Sequence, residues 1–297
     1  MEPTHRRVDL GNGISLHCAE AGSGPLVLLL HGFPEHWGSW RYQIPALAEA
    51  GFHVVAPDLR GYGESDKPRG LDAYRIDVLA EDVARLIAAF GAERAAVVGH
   101  DWGGALGWYA AMWHPERVSR LAVLDCPHPS RMARALRTAR QWRRSWYAML
   151  FQVPVLPEML LRAGDFALFR LLFQRDPARN GAYSAEDIEG IVRAAARPGS
   201  LTAMLDWYRA SLRRRPHKKW VSIAQPVQII WGERDRYLSP ELAVTGPEWA
   251  PDQRVLRIAG ASHWVQADAP ERVNEALLAF LAPLREVFHG REAVRIV

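Results

Sequence analysis

The sequence predicts an α/β fold in which a mostly parallel sheet is flanked by helices. Short apolar runs alternate with segments of helical periodicity along most of the chain. A glycine-rich turn at residues 99–104 joins one apolar run to a helix. The alternation is interrupted once, by roughly a hundred residues of helical character. Strands that alternate with helices form a parallel sheet whose two faces are both covered.

The elements follow in chain order. Gly11-Asn12-Gly13 predicts a hairpin turn between strands at residues 5–10 and 14–20, because Asn-Gly favours tight turns. Apolar runs predict further strands at residues 25–30, 53–56, 95–98, 120–124 and 227–231, and a last strand is expected at residues 254–258. Periodicity predicts helices at residues 39–50, around 79–90, from the glycine-rich turn to about 113, near 240–245, and from about 265 to 282.

The interruption predicts a second structural unit. Residues 128–220 contain many helical signals and no clear strand, so we expect a helical cap inserted after the sixth core strand. Residues 1–127 and 221–297 then form the core.

Composition narrows the classes of partner and compartment. The chain of 297 residues is 49% hydrophobic and carries a net charge of +4, which is too slight to indicate nucleic-acid binding. The arginines between Arg131 and Arg144 have helical spacing and predict a solvated face. Two cysteines, no secretory signal and no apolar run that could span a bilayer lead us to expect a cytoplasmic protein without a membrane span. A homodimer is compatible with this composition.

The glycine-rich turn has the pattern of a nucleophile elbow. In Gly99-His100-Asp101-Trp102-Gly103, the central position holds aspartate instead of serine. A carboxylate attacks a strained or activated sp3 carbon and forms an alkyl ester. An N-capping aspartate in an ordinary turn is the simpler interpretation of the motif alone.

Two further residues complete the order nucleophile, acid, histidine. Asp235 and His263 each follow a predicted strand, which is the chain order of an α/β-hydrolase triad. We expect His263 to act as a base toward water and Asp235 to orient it. Glu233 and Asp125 are alternatives to Asp235 as the acid.

The turn after the third strand supplies the remaining catalytic group. His31-Gly32-Phe33-Pro34 permits a sharp turn, and the backbone N–H groups of Phe33 and Trp102 are predicted to form an oxyanion hole.

Together, these motifs resemble the epoxide hydrolases of the α/β-hydrolase superfamily. The resemblance rests on His31 to Glu35 (HGFPE), Ser39 to Gln43 (SWRYQ), Asp58 to Ser65 (DLRGYGES) and Gly99 to Gly104 (GHDWGG), and it extends over residues 8–284. It implies hydrolysis of a small apolar epoxide to a vicinal diol with water and a role in detoxification. The sequence contains no metal-binding cluster and no nucleotide-binding loop, so we expect no cofactor or metal.

The resemblance also implies roles for residues of the cap and the cavity. Tyr147 and Tyr208 correspond to a pair of cap tyrosines whose phenols hydrogen-bond the epoxide oxygen. The residues expected to contact substrate are Trp102, Phe33, His36 and Phe151.

Three alternatives stay open at this point. A haloalkane dehalogenase shares the aspartate elbow, although its usual side-chain halide donor is replaced here by Phe33. A fluoroacetate dehalogenase would need arginines shortly after the nucleophile, and residues 102–111 contain none. A non-catalytic receptor would not need the complete triad.

Overall fold

The computed structural model describes residues 2–295. Eight strands form one sheet in the order β1-β2-β4-β3-β5-β6-β7-β8. Their bounds are β1 Thr4–Asp9, β2 Ser15–Ala21, β3 Leu26–Leu30, β4 His53–Pro57, β5 Ala95–His100, β6 Val118–Leu124, β7 Val227–Gly232 and β8 Gln253–Ile258. β2 pairs antiparallel with β1 and β4, and every other pairing is parallel. The predicted mostly parallel sheet is therefore confirmed.

Helices cover both faces of this sheet. The core helices are α1 Gln43–Glu49, α2 Ile76–Ala89, α3 Trp102–Trp113, α10 Val265–Asp268 and α11 Pro270–Arg295. Alternate strand residues point to opposite faces. Leu28 and Val97 pack in one buried cluster with α2 and α3, whereas Val27 and Val98 pack in another with α1 and α11.

Six helices follow β6 and precede β7, as the predicted insertion after the sixth strand requires. They are α4 Pro129–Ala135, α5 Ala139–Arg144, α6 Trp146–Leu150, α7 Leu156–Arg175, α8 Ala185–Ala196 and α9 Ser200–Arg213. α7 is interrupted at residues 163–166, where the backbone leaves the helical conformation.

The register places the functional loops side by side. Leu30 pairs with Gly99, His100 with Leu124, and Leu124 with Ile230. The carboxyl ends of β3, β5, β6 and β7 therefore lie along one edge of the sheet, where ligands bind in open α/β sheets.

Three predicted helices were wrong in their extent. The segment 39–50 divides into a 3-10 turn at Trp37–Trp40 and α1, because Pro45 fits only the first turn of a helix. The segment 240–245 forms only the 3-10 turn Pro240–Ala243, since Gly246-Pro247 stops any extension. The last helix is broken at Ala269, which precedes Pro270 and is pushed out of the helical region.

Within the described residues, no helix is both long and apolar enough to act as a bilayer span.

Candidate active site

Asp101 lies at the tip of a strained turn between β5 and α3. Its backbone adopts φ 49° and ψ −118°, which a non-glycine residue rarely occupies. The flanking glycines allow the close approach that the turn requires. A Cβ on Gly99 would lie 2.2 Å from the Gly103 carbonyl oxygen, and a Cβ on Gly103 would lie 2.0 Å from the Leu30 oxygen. The turn therefore presents the Asp101 carboxylate above the sheet edge.

The turn after β3 closes over this carboxylate. The backbone N–H of Phe33 donates a hydrogen bond of 2.9 Å to Asp101 Oδ1. A Cβ on Gly32 would lie only 2.5 Å from Asp101 Cβ, so glycine is needed at this position. The N–H of Trp102 is among the first of α3, and such groups have no acceptor within their helix. These are the two N–H groups expected at the oxyanion hole.

His263 is held between two carboxylates. Its Nδ1 lies 2.8 Å from Asp235 Oδ2, and its Nε2 faces Asp101 Oδ2 at 3.7 Å. The other oxygen of Asp235 accepts hydrogen bonds from the backbone N–H groups of Tyr237 and Leu238, at 2.6 and 2.9 Å. The structure thus brings Asp101, Asp235 and His263 together in triad geometry.

The charges of this trio perturb each other. Burial alone would lower the pKa of His263, but the charge of Asp235 and the bonds to Asp235 and Asp101 outweigh it and raise the pKa well above its ordinary value. Burial would raise the pKa of Asp101, yet the hydrogen bond and charge of His263 bring it below its ordinary value. The carboxylate that is proposed to attack is therefore ionised at neutral pH.

Neither alternative acid reaches the histidine. Glu233 is exposed and pairs with Arg257 at 3.9 Å. Asp125 is fully buried at the end of β6, where its Oδ1 accepts a hydrogen bond from the Gly232 N–H at 2.8 Å and its Oδ2 has no partner. Burial, followed by the charge of Asp235, raises the pKa of Asp125 well above its ordinary value and so favours its neutral form.

Two tyrosines from the helical insertion face the triad. Tyr147 lies on α6 and Tyr208 on α9, with ring centroids 6.1 Å apart. Burial, together with the nearby charge of Asp101, raises the pKa of both phenols well above the ordinary value. Both therefore keep their protons and can donate hydrogen bonds in the cavity.

A cavity of ≈ 450 Å³ joins these groups. Its walls include Asp101, His263 and both tyrosines, and most of the remaining surface is apolar. The apolar wall consists of Phe33, Pro34, Trp146, Phe151, Leu161, Leu168, Phe169, Leu172 and Trp264. This volume suits a compact organic molecule whose reacting atoms lie between the carboxylate and the phenols.

Two residues predicted to contact substrate lie elsewhere. His36 is not among the residues that line the cavity; its ring accepts a hydrogen bond from the Gly38 N–H and packs on Trp37. The Trp102 side chain also lies behind the wall, where its ring meets Tyr208 edge-on with centroids 5.0 Å apart. The predicted contact of His36 with substrate is therefore not supported by its position, and the Trp102 ring contacts Tyr208 instead of the cavity.

The sequence reasoning missed a buried network beneath the triad. His100 Nδ1 lies 2.8 Å from Glu35 Oε2, and His100 Nε2 lies 2.9 Å from the backbone oxygen of His263. Tyr183 of the insertion donates a hydrogen bond of 2.9 Å to Glu35 Oε1. The position of His100 next to the nucleophile was the available signal. Tyr237 was also missed, although it stands two residues after Asp235 and packs on His263.

Within the described residues, no group of three or more histidine, cysteine or acidic side chains is arranged to hold a metal ion.

Known proteins resemble the chain over nearly its whole length. The family model of the α/β-hydrolase fold matches residues 25–270. The AB hydrolase superfamily protein YfhM of Bacillus subtilis is 43% identical over 278 residues, which cover 91% of this chain and 95% of that protein. Epoxide hydrolase 4 of Mus musculus is 35% identical over 278 residues, which cover 91% of this chain and 77% of that protein.

Solved structures agree with the sequence relatives. A variant of an epoxide hydrolase from Bacillus megaterium, solved with its naphthyloxy-propane-diol product, has a TM-score of 0.85 and 37% identity, covering 93% of this chain and 100% of that one. Epoxide Hydrolase A from Mycobacterium thermoresistibile has a TM-score of 0.81 and 33% identity, covering 94% of this chain and 98% of that one. On fold, sequence and coverage together, the chain belongs to the epoxide hydrolase family of the α/β-hydrolase superfamily.

Proposed function

We propose that the protein hydrolyses an apolar epoxide to a vicinal diol through an ester on Asp101. The observation that carries this proposal is the placement of an ionised carboxylate and two protonated phenols on the wall of one cavity. An epoxide between them meets a nucleophile at carbon and two donors at oxygen.

In the first step, Asp101 attacks a ring carbon, and the C–O bond of the epoxide breaks. The developing alkoxide is strongly basic, and a hydrogen bond or a proton from Tyr147 or Tyr208 stabilises it. The product of this step is a hydroxyalkyl ester of the enzyme.

In the second step, His263 takes a proton from water, which attacks the carbonyl carbon of the ester. Esterification removes the negative charge of Asp101, one of the groups that raise the pKa of His263. The imidazole therefore gives up its proton more readily once the ester has formed. The N–H groups of Phe33 and Trp102 stabilise the oxyanion in this proposal. Its collapse breaks the C–O bond to the substrate, and the leaving alkoxide takes the proton from His263 as the diol is released. The acid proton left on Asp101 restores the tyrosine that protonated the first alkoxide, so the carboxylate is regenerated.

Dehalogenation is the competing reaction for an aspartate elbow. Phe33 offers no side-chain donor for a leaving halide, and the Trp102 indole lies behind the cavity wall against Tyr208. Diol formation from an aryl epoxide and halide release from a matched haloalkane should be measured in the same preparation. The proposal requires the first and fails if halide release is the faster reaction.

We also propose that residues 128–220 act as a cap that completes the cavity. Tyr147, Phe151, Phe169 and Tyr208 all come from this segment, whereas Asp101 and His263 come from the core. Both cysteines are buried free thiols, which fits the cytoplasmic location that we propose.

A further inference from the structure

The insertion exposes an unusual amount of apolar surface. Of the fourteen exposed large hydrophobic side chains in the described part of the chain, ten lie between residues 142 and 171. We call these ten residues the cap patch. Its members are Trp142, Trp146, Met149, Val153, Val155, Leu156, Met159, Leu160, Leu168 and Leu171.

Half of the cap patch lies on α7, and another side of this helix is already packed inside the protein. Phe166, Phe169 and Phe173 of α7 are buried, while Met159 on the same helix is 64% exposed. Leu156, Met159 and Leu160 recur at helical spacing on the exposed side of α7, and a patch of exposed apolar side chains is typical of a site that contacts another surface. By contrast, the exposed positions of α8 include Glu186 and Arg193, as expected of a water-facing helix.

The cavity borders this surface. Trp146 and Leu168 belong to the cap patch and also line the cavity. The exposed Arg143, which is not a member of the patch, lines the cavity as well. An apolar molecule that reaches these two residues of the patch therefore contacts the wall of the cavity.

The segment that carries the patch is also strongly basic. Residues 129–175 contain nine arginines and two acidic residues, although the whole chain has a net charge of only +4. Both acidic residues are paired, Glu158 with Arg209 and Asp165 with Arg170. Several exposed arginines of this segment form no salt bridge with any described residue; they are Arg134, Arg137, Arg143, Arg162 and Arg175.

We propose that the cap patch docks on the surface of an anionic lipid bilayer, with the cavity mouth toward the lipid. Apolar side chains interleaved with arginines are the composition that binds such a surface without spanning it. A second copy of the chain fits less well, because a two-fold contact would bring the same arginines together.

Vesicle sedimentation without substrate tests docking by itself. The protein should pellet with vesicles of equal parts phosphatidylglycerol and phosphatidylcholine, bind far less to pure phosphatidylcholine, and lose binding as salt screens the arginines. The double variant Met159→Gln/Leu160→Gln should lower the partition coefficient by about tenfold. Arg134→Gln/Arg137→Gln should lower it by on the order of tenfold.

Matched controls come from exposed residues outside the patch. Val244→Gln and Arg272→Gln should bind as the unchanged protein does. Equal losses in these controls, or no pelleting with anionic vesicles, would overturn the proposal. So would a Met159→Gln/Leu160→Gln variant that only converts a dimer to a monomer in sedimentation equilibrium, because the patch would then be a subunit interface.

Delivery of substrate through the patch rests on the proposed function and needs a separate assay. Met159→Gln/Leu160→Gln should slow diol formation from an apolar epoxide dissolved in vesicles and leave it unchanged for a water-soluble one. Vesicle binding without any diol would refute the proposed function and retain docking, whereas diol formation without vesicle binding would refute docking alone.

Discussion

The two buried carboxyls that follow β6 and β7, Asp125 and Asp235, should differ greatly in their sensitivity to the same substitution. Asp235→Asn is expected to lower the rate of diol formation by about 10⁴-fold, or ~5.5 kcal/mol in activation free energy. The backbone N–H groups of Tyr237 and Leu238 bond Asp235 Oδ1, so the amide oxygen of the variant will take that position. The amide NH₂ then points at His263 Nδ1 and fixes a proton on Nε2. In that tautomer His263 cannot take a proton from water.

Asp125→Asn is the matched control. Burial and the charge of Asp235 raise the pKa of the Asp125 carboxyl, and the hydrogen bond that its side chain accepts from the Gly232 N–H is one that an amide oxygen accepts equally well. Activity per folded enzyme should stay within about tenfold of the unchanged protein. Stopped-flow kinetics should show that Asp235→Asn still forms the ester but hydrolyses it slowly. The reasoning is refuted if Asp125→Asn costs as much as Asp235→Asn, or if Asp235→Asn costs less than tenfold.

Further consequences concern the donors, the pH dependence and the turn after β3. Tyr147→Phe and Tyr208→Phe should each slow ester formation by roughly 10²- to 10³-fold in single turnovers, and an unchanged rate would remove that phenol from the mechanism. As pH falls through the pKa of the triad histidine in the ester form, the protonated imidazole cannot accept a proton, so the ester on Asp101 should accumulate. Equal slowing of both steps at low pH would contradict that order. Rapid-quench sampling across pH measures both steps. No loss of activity is expected at a pH near the ordinary pKa of a phenol, because burial raises the pKa of both tyrosines. Gly32→Ala should lower kcat/KM by about 10²-fold, because its Cβ would displace Asp101, whereas Gly260→Ala meets no neighbour and should be silent; equal losses would refute the steric explanation.

Local sequence signals predicted which residues the structure brings together at the edge of the sheet. The glycines around Asp101 predict the strained turn. A Cβ at Gly99 or Gly103 would lie only 2.2 or 2.0 Å from a backbone oxygen, so only glycine fits at these positions. Asp235 and His263 each follow a strand, and parallel strands align their carboxyl ends. The sequence does not distinguish Asp235 from Asp125, since each follows one of two adjacent strands. The folded structure shows that an oxygen of Asp235 faces the imidazole of His263, whereas Asp125 accepts a hydrogen bond from Gly232.

Residues whose contacts span the insertion and the core could not be assigned from periodicity. Helical spacing predicts which face of a helix is apolar but not what lies opposite that face. The packing of the insertion on the core shows that Leu161, Leu168 and Leu172 line the cavity. His36 follows a functional motif in sequence, yet its ring serves as a local cap for Gly38. The Glu35–His100 contact joins positions 65 residues apart.

A single turnover in ¹⁸O-labelled water tests the ester on Asp101 most directly. The substrate carbon takes its new oxygen from the carboxylate, and water replaces that oxygen when the ester is hydrolysed. Mass spectrometry of the peptide that contains Asp101 should therefore show one solvent oxygen, with the first diol unlabelled. Label in the diol and none in Asp101 would mean that water attacks the epoxide directly, which contradicts the account.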